Sequence, residues 1–307
     1  MEVWWIGARG SIQAAFWYEG SNWSRYELAP DGSASASGGI SAVSRQANTM
    51  EVWWVGPKGS IEDAHWYEGG TWTKFRLAPE GAAALTSPVS SLSRQAHTME
   101  TWWVAPNGAV EGGYWYEGMK AWGRHTIAPA RSASLNGGMA AVSRIPQSME
   151  IWWIAPNGSV QDAHWYEGMK NWNRFEIAPA GAASSTSPLT ALSRIPNSME
   201  VFWVGNYGSV KHGFWYDGGN WHKGEIAPEG NASETGGIAG VSRIPGSMEF
   251  WTSGYIRQRD GAMTHRTDDF FWYEGSSWKN FSLATKSTPL LPPGAGKIKM
   301  TKSLGRP

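Results

Sequence analysis

"SMEIWWIAPNGSVQDAHWYEGMKNWNRFEIAP", Ser148 to Pro179, decides the fold, because the chain spells it six times. Versions begin near Met1, Met50, Met99, Met149, Met199 and Met248, a period of 49 to 50 residues. Self-similarity at that period marks an array of supersecondary units, none of which can bury its apolar face alone. In the first copy, β-branched and aromatic runs separated by turn residues predict strands over Glu2–Gly7, Ser11–Glu19 and Trp23–Ala29. A Gly/Ser/Ala-rich connection over 30–39 then leads to a fourth run, "ISAVSR", Ile40 to Arg45. No apolar periodicity of helical length interrupts them. Four strands in about 50 residues read as a propeller blade, with tandem sandwiches and a helical solenoid as formal rivals.

The run "EVWWV" is apolar on both sides, since Val52 and Trp54 point one way while Trp53 and Val55 point the other. A strand of this kind needs cover on both faces, which a propeller supplies by sandwiching each blade between two neighbours. The "SR" runs starting at Ile40, Val89, Met139, Leu189 and Ile238 carry the small residues that a crowded axis requires, and are placed innermost. Blades then fall at 40–89, 90–138, 139–188, 189–237 and 238–290, with 1–39 as a sixth blade lacking its inner strand. The alternating run Lys297 to Lys302 is due where that strand is missing, so residues 296–303 are expected to complete the first blade; Ser303 then stands where Arg recurs. Such a clasp leaves no free edge for another chain. The expectation is an all-β, six-bladed β-propeller of four-stranded blades, its ring closed by the C-terminal strand. Between Trp251 and Trp272 about seven extra residues predict an extended loop at one rim.

Composition narrows the function. Lys plus Arg and Asp plus Glu number 26 each, with no long basic run, so nucleic-acid binding has no electrostatic support. With 0 Cys there is neither a disulfide framework nor a thiolate site. No 18-residue apolar stretch offers a membrane span, and "MEVWWIG" opens without a basic and apolar leader, which points to a cytoplasmic protein or one exported by a non-classical route.

Three polar positions recur among apolar neighbours: an acid opening the second strand (Glu2, Glu51, Glu100, Glu150, Glu200, Glu249), the Arg closing the inner strand, and an acid closing the third strand. The Arg with a nearby acid reads either as a structural clamp or as part of a shallow pocket between blades. A sugar site needs little more than forked donors and acceptors for vicinal hydroxyls and an aromatic face for the C–H side of the ring. Candidate ligand-binding residues are therefore Arg45, Arg94, Arg144, Arg194 and Arg243, the acids Glu68, Glu117 and Glu167, and the solitary Trp72, Trp122, Trp172 and Trp221. His65 and His164 sit where other copies hold Phe or Tyr, which reads as packing; no His spacing matches a metal motif, so no metal and no cofactor are expected.

Through "AVSRQANTMEVWWVGPKGS", "AVSRIPQSMEIWWIAPNGS" and "GVSRIPGSMEFW" the whole chain resembles the six-bladed fucose-specific lectins of fungi and bacteria. The resemblance implies several interblade sites for fucose or a related sugar, glycan partners, and room for a homodimer. Where the mushroom lectins carry Arg on the second strand and Glu on the third, this chain holds Glu51, Glu150 or Glu200 and then Glu62, Gln161 or Lys211, so the carry-over moves to the recurrent Arg, Trp and third-strand acid. The chain is also similar to lectin-fold fungal pericyclases that join a quinone methide to a terpene by a hetero-Diels–Alder reaction. That likeness implies instead a cofactor-free enzyme of secondary metabolism, with one apolar pocket for a small apolar ligand.

Overall fold

A computed structural model of the chain describes residues 1–257 and 262–288. The apolar runs form strands and the Gly-containing segments between them form tight turns. Gly59 shows why glycine is needed: its φ is +75°, and a Cβ there would lie 2.3 Å from the Ala83 carbonyl oxygen of the following connection.

The strands fall into six antiparallel sheets. The first holds β1 (Glu2–Ile6), β2 (Ile12–Phe16) and β3 (Ser24–Ala29). The second holds β4 (Ile40–Val43), β5 (Thr49–Val55), β6 (Ile61–Tyr67) and β7 (Thr73–Ala78). In the third are β8 (Val89–Leu92), β9 (Thr98–Val104), β10 (Val110–Tyr116) and β11 (Gly123–Ala128), and in the fourth β12 (Met139–Val142), β13 (Ser148–Ile154), β14 (Val160–Tyr166) and β15 (Asn173–Ala178). The fifth comprises β16 (Leu189–Leu192), β17 (Ser198–Val204), β18 (Val210–Tyr216) and β19 (His222–Ala227). The sixth comprises β20 (Gly237–Val241), β21 (Ser247–Arg257), β22 (Met263–Tyr273) and β23 (Lys279–Thr288). Each sheet is a blade in sequential strand order, and the first strands of neighbouring blades adjoin: β8 lies against β4 and β12, β16 against β12 and β20. This is a six-bladed β-propeller.

The core sits between blades rather than within them. Trp53 and Val55 of β5 pack with Ile61, Leu77, Val89, Met99 and Trp103, sealing blade 2 against blade 3, and four further clusters repeat the arrangement around the body. All seven residues of β9, β13 and β17 are buried, as two covered faces demand. A Trp in such a position hides about 150–250 Å², worth about 4–6 kcal/mol of gross burial free energy.

Connections between blades alternate in chemistry. Those before β4 and β12 end in Gly-Gly, whereas those before β8 and β16 end in Ser-Pro. Gly39 N–H donates to the Ser87 carbonyl at 2.8 Å, and Gly138 N–H does the same to Ser187 at 2.8 Å. A Cβ on Gly39 would stand 2.4 Å from the Val89 nitrogen, and one on Gly138 2.2 Å from the Leu189 nitrogen. Ser87 Oγ in turn accepts from Val104 N–H at 2.7 Å. The blades thus interlock two by two, 2 with 3 and 4 with 5.

The extra residues of blade 6 do not simply lengthen a loop. β21 and β22 have 11 residues each against 7 in β5 and β6, and the added pairs run from Gly254↔Arg266 to Arg257↔Met263. Alternation continues through "TSGYIR", so pairing continues with it, and Tyr255 meets His265 edge to face at 5.0 Å. In blade 1, β1 pairs with β2 and has no inner partner among the described residues. Val3 and Trp5 are 42% and 39% exposed there, whereas their counterparts Val52 and Trp54 are 0% and 3% exposed. The expected closing strand, 296–303, lies outside the described residues.

Candidate functional site

Two rings of polar groups occupy opposite rims of the propeller. The first is built on the arginines that follow the inner strands. Arg94 lies over the Tyr116 ring of its own blade and the Trp165 ring of the next, at 5.0 Å from each, and Nε donates to Glu100 Oε1 at 3.1 Å. Arg144 sits likewise between Tyr166 and Trp215 at 5.0 and 4.9 Å, and Arg194 between Tyr216 and Trp272 at 5.1 and 5.2 Å. Arg45 is held between Tyr67 and Trp115. Arg243 has its own Tyr273 at 5.7 Å and is more than half exposed. Each of the first four therefore staples its blade to the next through two cation–π contacts.

A turn with positive φ brings the acid back to the arginine. Asn48, His97, Gln147 and Asn197 all adopt φ between 61° and 69° just before the second strand. Asn197 Oδ1 accepts from Arg144 Nη1, while Tyr166 Oη donates to Glu150. The acid that reaches the guanidinium is thus the one opening the second strand. Glu68, Glu117 and Glu167 stay exposed at the end of the third strand, where Asn48 donates to Glu68 and His97 lies 3.0 Å from Glu117. Among the described residues the ion pairs of Arg94, Arg144, Arg194 and Arg243 run to the second-strand acid, while Arg45 reaches toward Glu117 through His97, whose Nδ1 lies 3.5 Å from Arg45 Nη1.

The solitary tryptophans also face inward. Trp72, Trp122, Trp172 and Trp221 pack edge-on against Trp4, Trp53, Trp102 and Trp152 of the preceding blade, at 5.8 to 6.5 Å. Trp23, their counterpart in blade 1, is 50% exposed.

Burial shapes the acids. Desolvation, partly offset by Arg94, lifts Glu100 to about 7, and Glu200 beside Arg194 likewise to about 7. Glu51 and Glu150 rise to about 8, because burial is joined by Asp63 and Asp162, which burial itself holds well above the carboxylate range. Asp occupies this place in blades 2, 4 and 6, where Asp269 completes the set, and is replaced by Ala14, Gly112 and His212 in blades 1, 3 and 5. At neutral pH the Glu51–Asp63 and Glu150–Asp162 pairs each retain a proton. Ligand atoms of Glu51, Asp63 and His65 lie within 4.8 Å of one another, a set able to hold a divalent ion that would have to displace that proton. His65 packs on Tyr67 and Phe75 at 5.4 and 5.9 Å, so the aromatic slot read in the sequence is an aromatic slot.

The second ring lies at the far ends of the strands, where a blade connection faces the next blade's hairpin turn. Between blades 3 and 4 a cavity of about 880 Å³ is lined by Asn136, Asn157, Gln161, Arg174, Phe175 and Glu176, among others. Gln161 Nε2 donates to Glu176 Oε2 at 3.1 Å and to Ser159 Oγ at 2.8 Å. The same groove recurs between blades 1 and 2 with about 370 Å³, where Arg76 Nε donates to Glu62 Oε1 at 2.9 Å. Trp54 and Trp153 form the floor of the two grooves and donate to Ser33 and Ser132 carbonyls at 3.0 and 2.9 Å. Sequence reasoning named Glu62 and Gln161 of this ring but set them aside, because its polar pairs change from blade to blade: Gln13 with Glu27, Glu62 with Arg76, Glu111 with Thr126.

No protein-family profile matches the chain, and no curated protein sequence is significantly similar to it. Solved structures do match. The BP39L lectin from Burkholderia pseudomallei superposes with a TM-score of 0.80 at 19% identity, over 92% of this chain and 80% of that one. AofleA from Arthrobotrys oligospora gives 0.65 at 16% identity over 93% and 84% of the chains. The Aleuria aurantia lectin, a six-bladed β-propeller with its own mode of fucose recognition, gives 0.57 at 14% identity over 96% of both. The chain shares the fold of these lectins. Among the described residues no helix is long and apolar enough to cross a membrane.

Proposed function

We propose that the chain is a carbohydrate-binding propeller whose sugar sites are the grooves between blades on the rim away from the arginine staples. The observation that carries this reading is the groove between blades 3 and 4, where an amide, a guanidinium and a carboxylate (Gln161, Arg174, Glu176) stand over Trp153 in one open cavity, while the Phe175 ring turns away to pack on His164 and Trp221. Forked polar groups beside an aromatic face suit adjacent hydroxyls and the apolar side of a pyranose. Recurrence of the groove between blades 1 and 2 supports more than one site per chain, and weak sites gain through multivalency on a glycan-coated surface. The fold shared with fucose lectins makes fucose or a related deoxyhexose the first sugar to test. A pericyclase would need one enclosed apolar chamber, whereas the cavities described here open between blades and carry charged side chains.

A glycan panel with calorimetry at millimolar sugar tests the proposal. Binding that weakens at least tenfold in R174A and E176A is the expected outcome; no sugar bound at those concentrations overturns it.

A further inference from the structure

The connection leaving each of blades 1 to 5 makes the same turn, four times with glycine and once with arginine. Gly32, Gly81, Gly181 and Gly230 take φ between 77° and 80°, and each donates its N–H to a carbonyl at the tip of its own blade's hairpin, at 2.8 to 2.9 Å. Arg131 holds that place in blade 3: its φ is 67°, and its N–H donates to the Asn107 carbonyl at 2.9 Å. The turn requires the left-handed region, which glycine enters freely and a side chain enters under strain. Strain of that kind persists where the side chain serves something besides the turn.

Arg131 lines the cavity of about 880 Å³ between blades 3 and 4, together with Arg174 and Glu176. Both guanidiniums are exposed, and among the described residues neither takes part in an ion pair or a side-chain hydrogen bond. Blades 1 and 2 balance their charge at this point. There an acid precedes the glycine and pairs with the hairpin tip, Asp31 with Arg9 at 2.7 Å and Glu80 with Lys58 at 3.6 Å. Blade 3 has Ala130 and Asn107 in those two places, so the acid is gone and a base has been added. Glu176 is the single carboxylate among the residues lining this groove, and Gln161 already donates to its Oε2. In the groove between blades 1 and 2 the position of Glu176 is taken by Arg76, which is committed to Glu62 at 2.9 Å. The groove between blades 3 and 4 thus sets two unpaired guanidiniums beside one carboxylate.

We infer that this groove selects glycans that carry a carboxylate, a hexuronate or a sialate, and that Arg131 sets the preference. The inference rests on the reading of the groove as a sugar site. The planar fork of a guanidinium matches a carboxylate with two parallel N–H···O bonds. Arg174 and Glu176 then remain for ring hydroxyls, one of which can donate to Glu176 Oε1, the oxygen that Gln161 leaves open. The groove between blades 1 and 2 has Gly32 at the same turn, and it is expected to show no such preference.

Calorimetry and saturation-transfer spectra on the full chain test this with the methyl glycosides of galacturonic, glucuronic and N-acetylneuraminic acids and with their methyl esters, which keep the ring and remove the charge. At low ionic strength at least one free acid is expected to bind about tenfold more tightly than its ester, and added salt should shrink the difference. R131G restores the residue of four other copies; it should melt no lower than the wild-type chain while the acid-to-ester ratio falls to about one. R131K, which keeps a charge without the fork, should retain part of the ratio. Equal binding of acid and ester, a ratio unchanged in R131G, or tighter binding of galactose 6-sulfate or acetate than of every carboxylated sugar would each overturn the preference for acidic sugars, and would leave the sugar-site reading standing wherever neutral sugars bind. No sugar of either kind bound at millimolar concentration would overturn both.

Discussion

Arg94 has Tyr116 on one face, Trp165 on the other and Glu100 at Nε, and its side chain is only 7% exposed. Removing it leaves Glu100 buried without its cation, so R94A is expected to cost about 3–5 kcal/mol in urea denaturation. R94M/E100Q, which keeps volume without a charge, should recover most of that loss. The Glu–Asp pairs make a separate prediction about pH. Their carboxyls are raised in the folded chain relative to the unfolded one, so the folded state holds more protons between about 4.5 and about 8. Stability contributed by these protons is complete below the unfolded values and is lost as pH rises through the folded ones, by about 1.4 kcal/mol per pH unit for each proton. E51Q/D63N should flatten the fall between pH 5 and pH 8 in a series of melting curves, and an unchanged slope would contradict proton sharing. The recurrent Arg and its acid were visible in the sequence as a clamp or a pocket. Which acid serves was not, because it depends on a positive-φ residue of three different kinds, Asn48 and Asn197, His97 and Gln147, that folds the chain back on itself.

Strands were the most legible elements, since apolar alternation and turn glycines act locally. The two-faced strand "EVWWV" announced a blade covered on both sides, and Trp53 and Val55 are indeed buried against blade 3. The insertion in blade 6 misled as to its form, because length alone does not distinguish a loop from an extended hairpin; cross-strand alternation does. Blade connections carry their own test. G39A and G138A put a methyl group where backbone nitrogen already stands, 2.4 and 2.2 Å away, and each should destabilise by about 1–3 kcal/mol in thermal unfolding. Gly32, with φ +80° and nothing within 4 Å, should lose stability on substitution by Ala only through backbone strain, and so by less.

At the scale of the molecule, the sequence period declared the number of blades and the place of the first. The rim proposed to bind sugar was hidden for the opposite reason: its residues differ from copy to copy, and only their convergence in space makes a groove. If those grooves bind sugar, saturation-transfer spectra should show one class of weak contacts, and titration should give more than one sugar per chain. Mutating a staple such as Arg194 should alter stability before it alters that stoichiometry.

The interlocking Gly-Gly and Ser-Pro connections have a consequence for how the chain can be edited. Gly38-Gly39 and Gly137-Gly138 each press against the Ser-Pro of the following blade, so the run from blade 2 to blade 5 has parity as well as number. Excising one blade would set Gly-Gly beside Gly-Gly, opening a void, or Ser-Pro beside Ser-Pro, forcing a ring of proline into backbone. Excising or inserting two consecutive blades preserves the match. Propellers shortened or enlarged in twos are therefore expected to fold, and those changed by a single blade to aggregate.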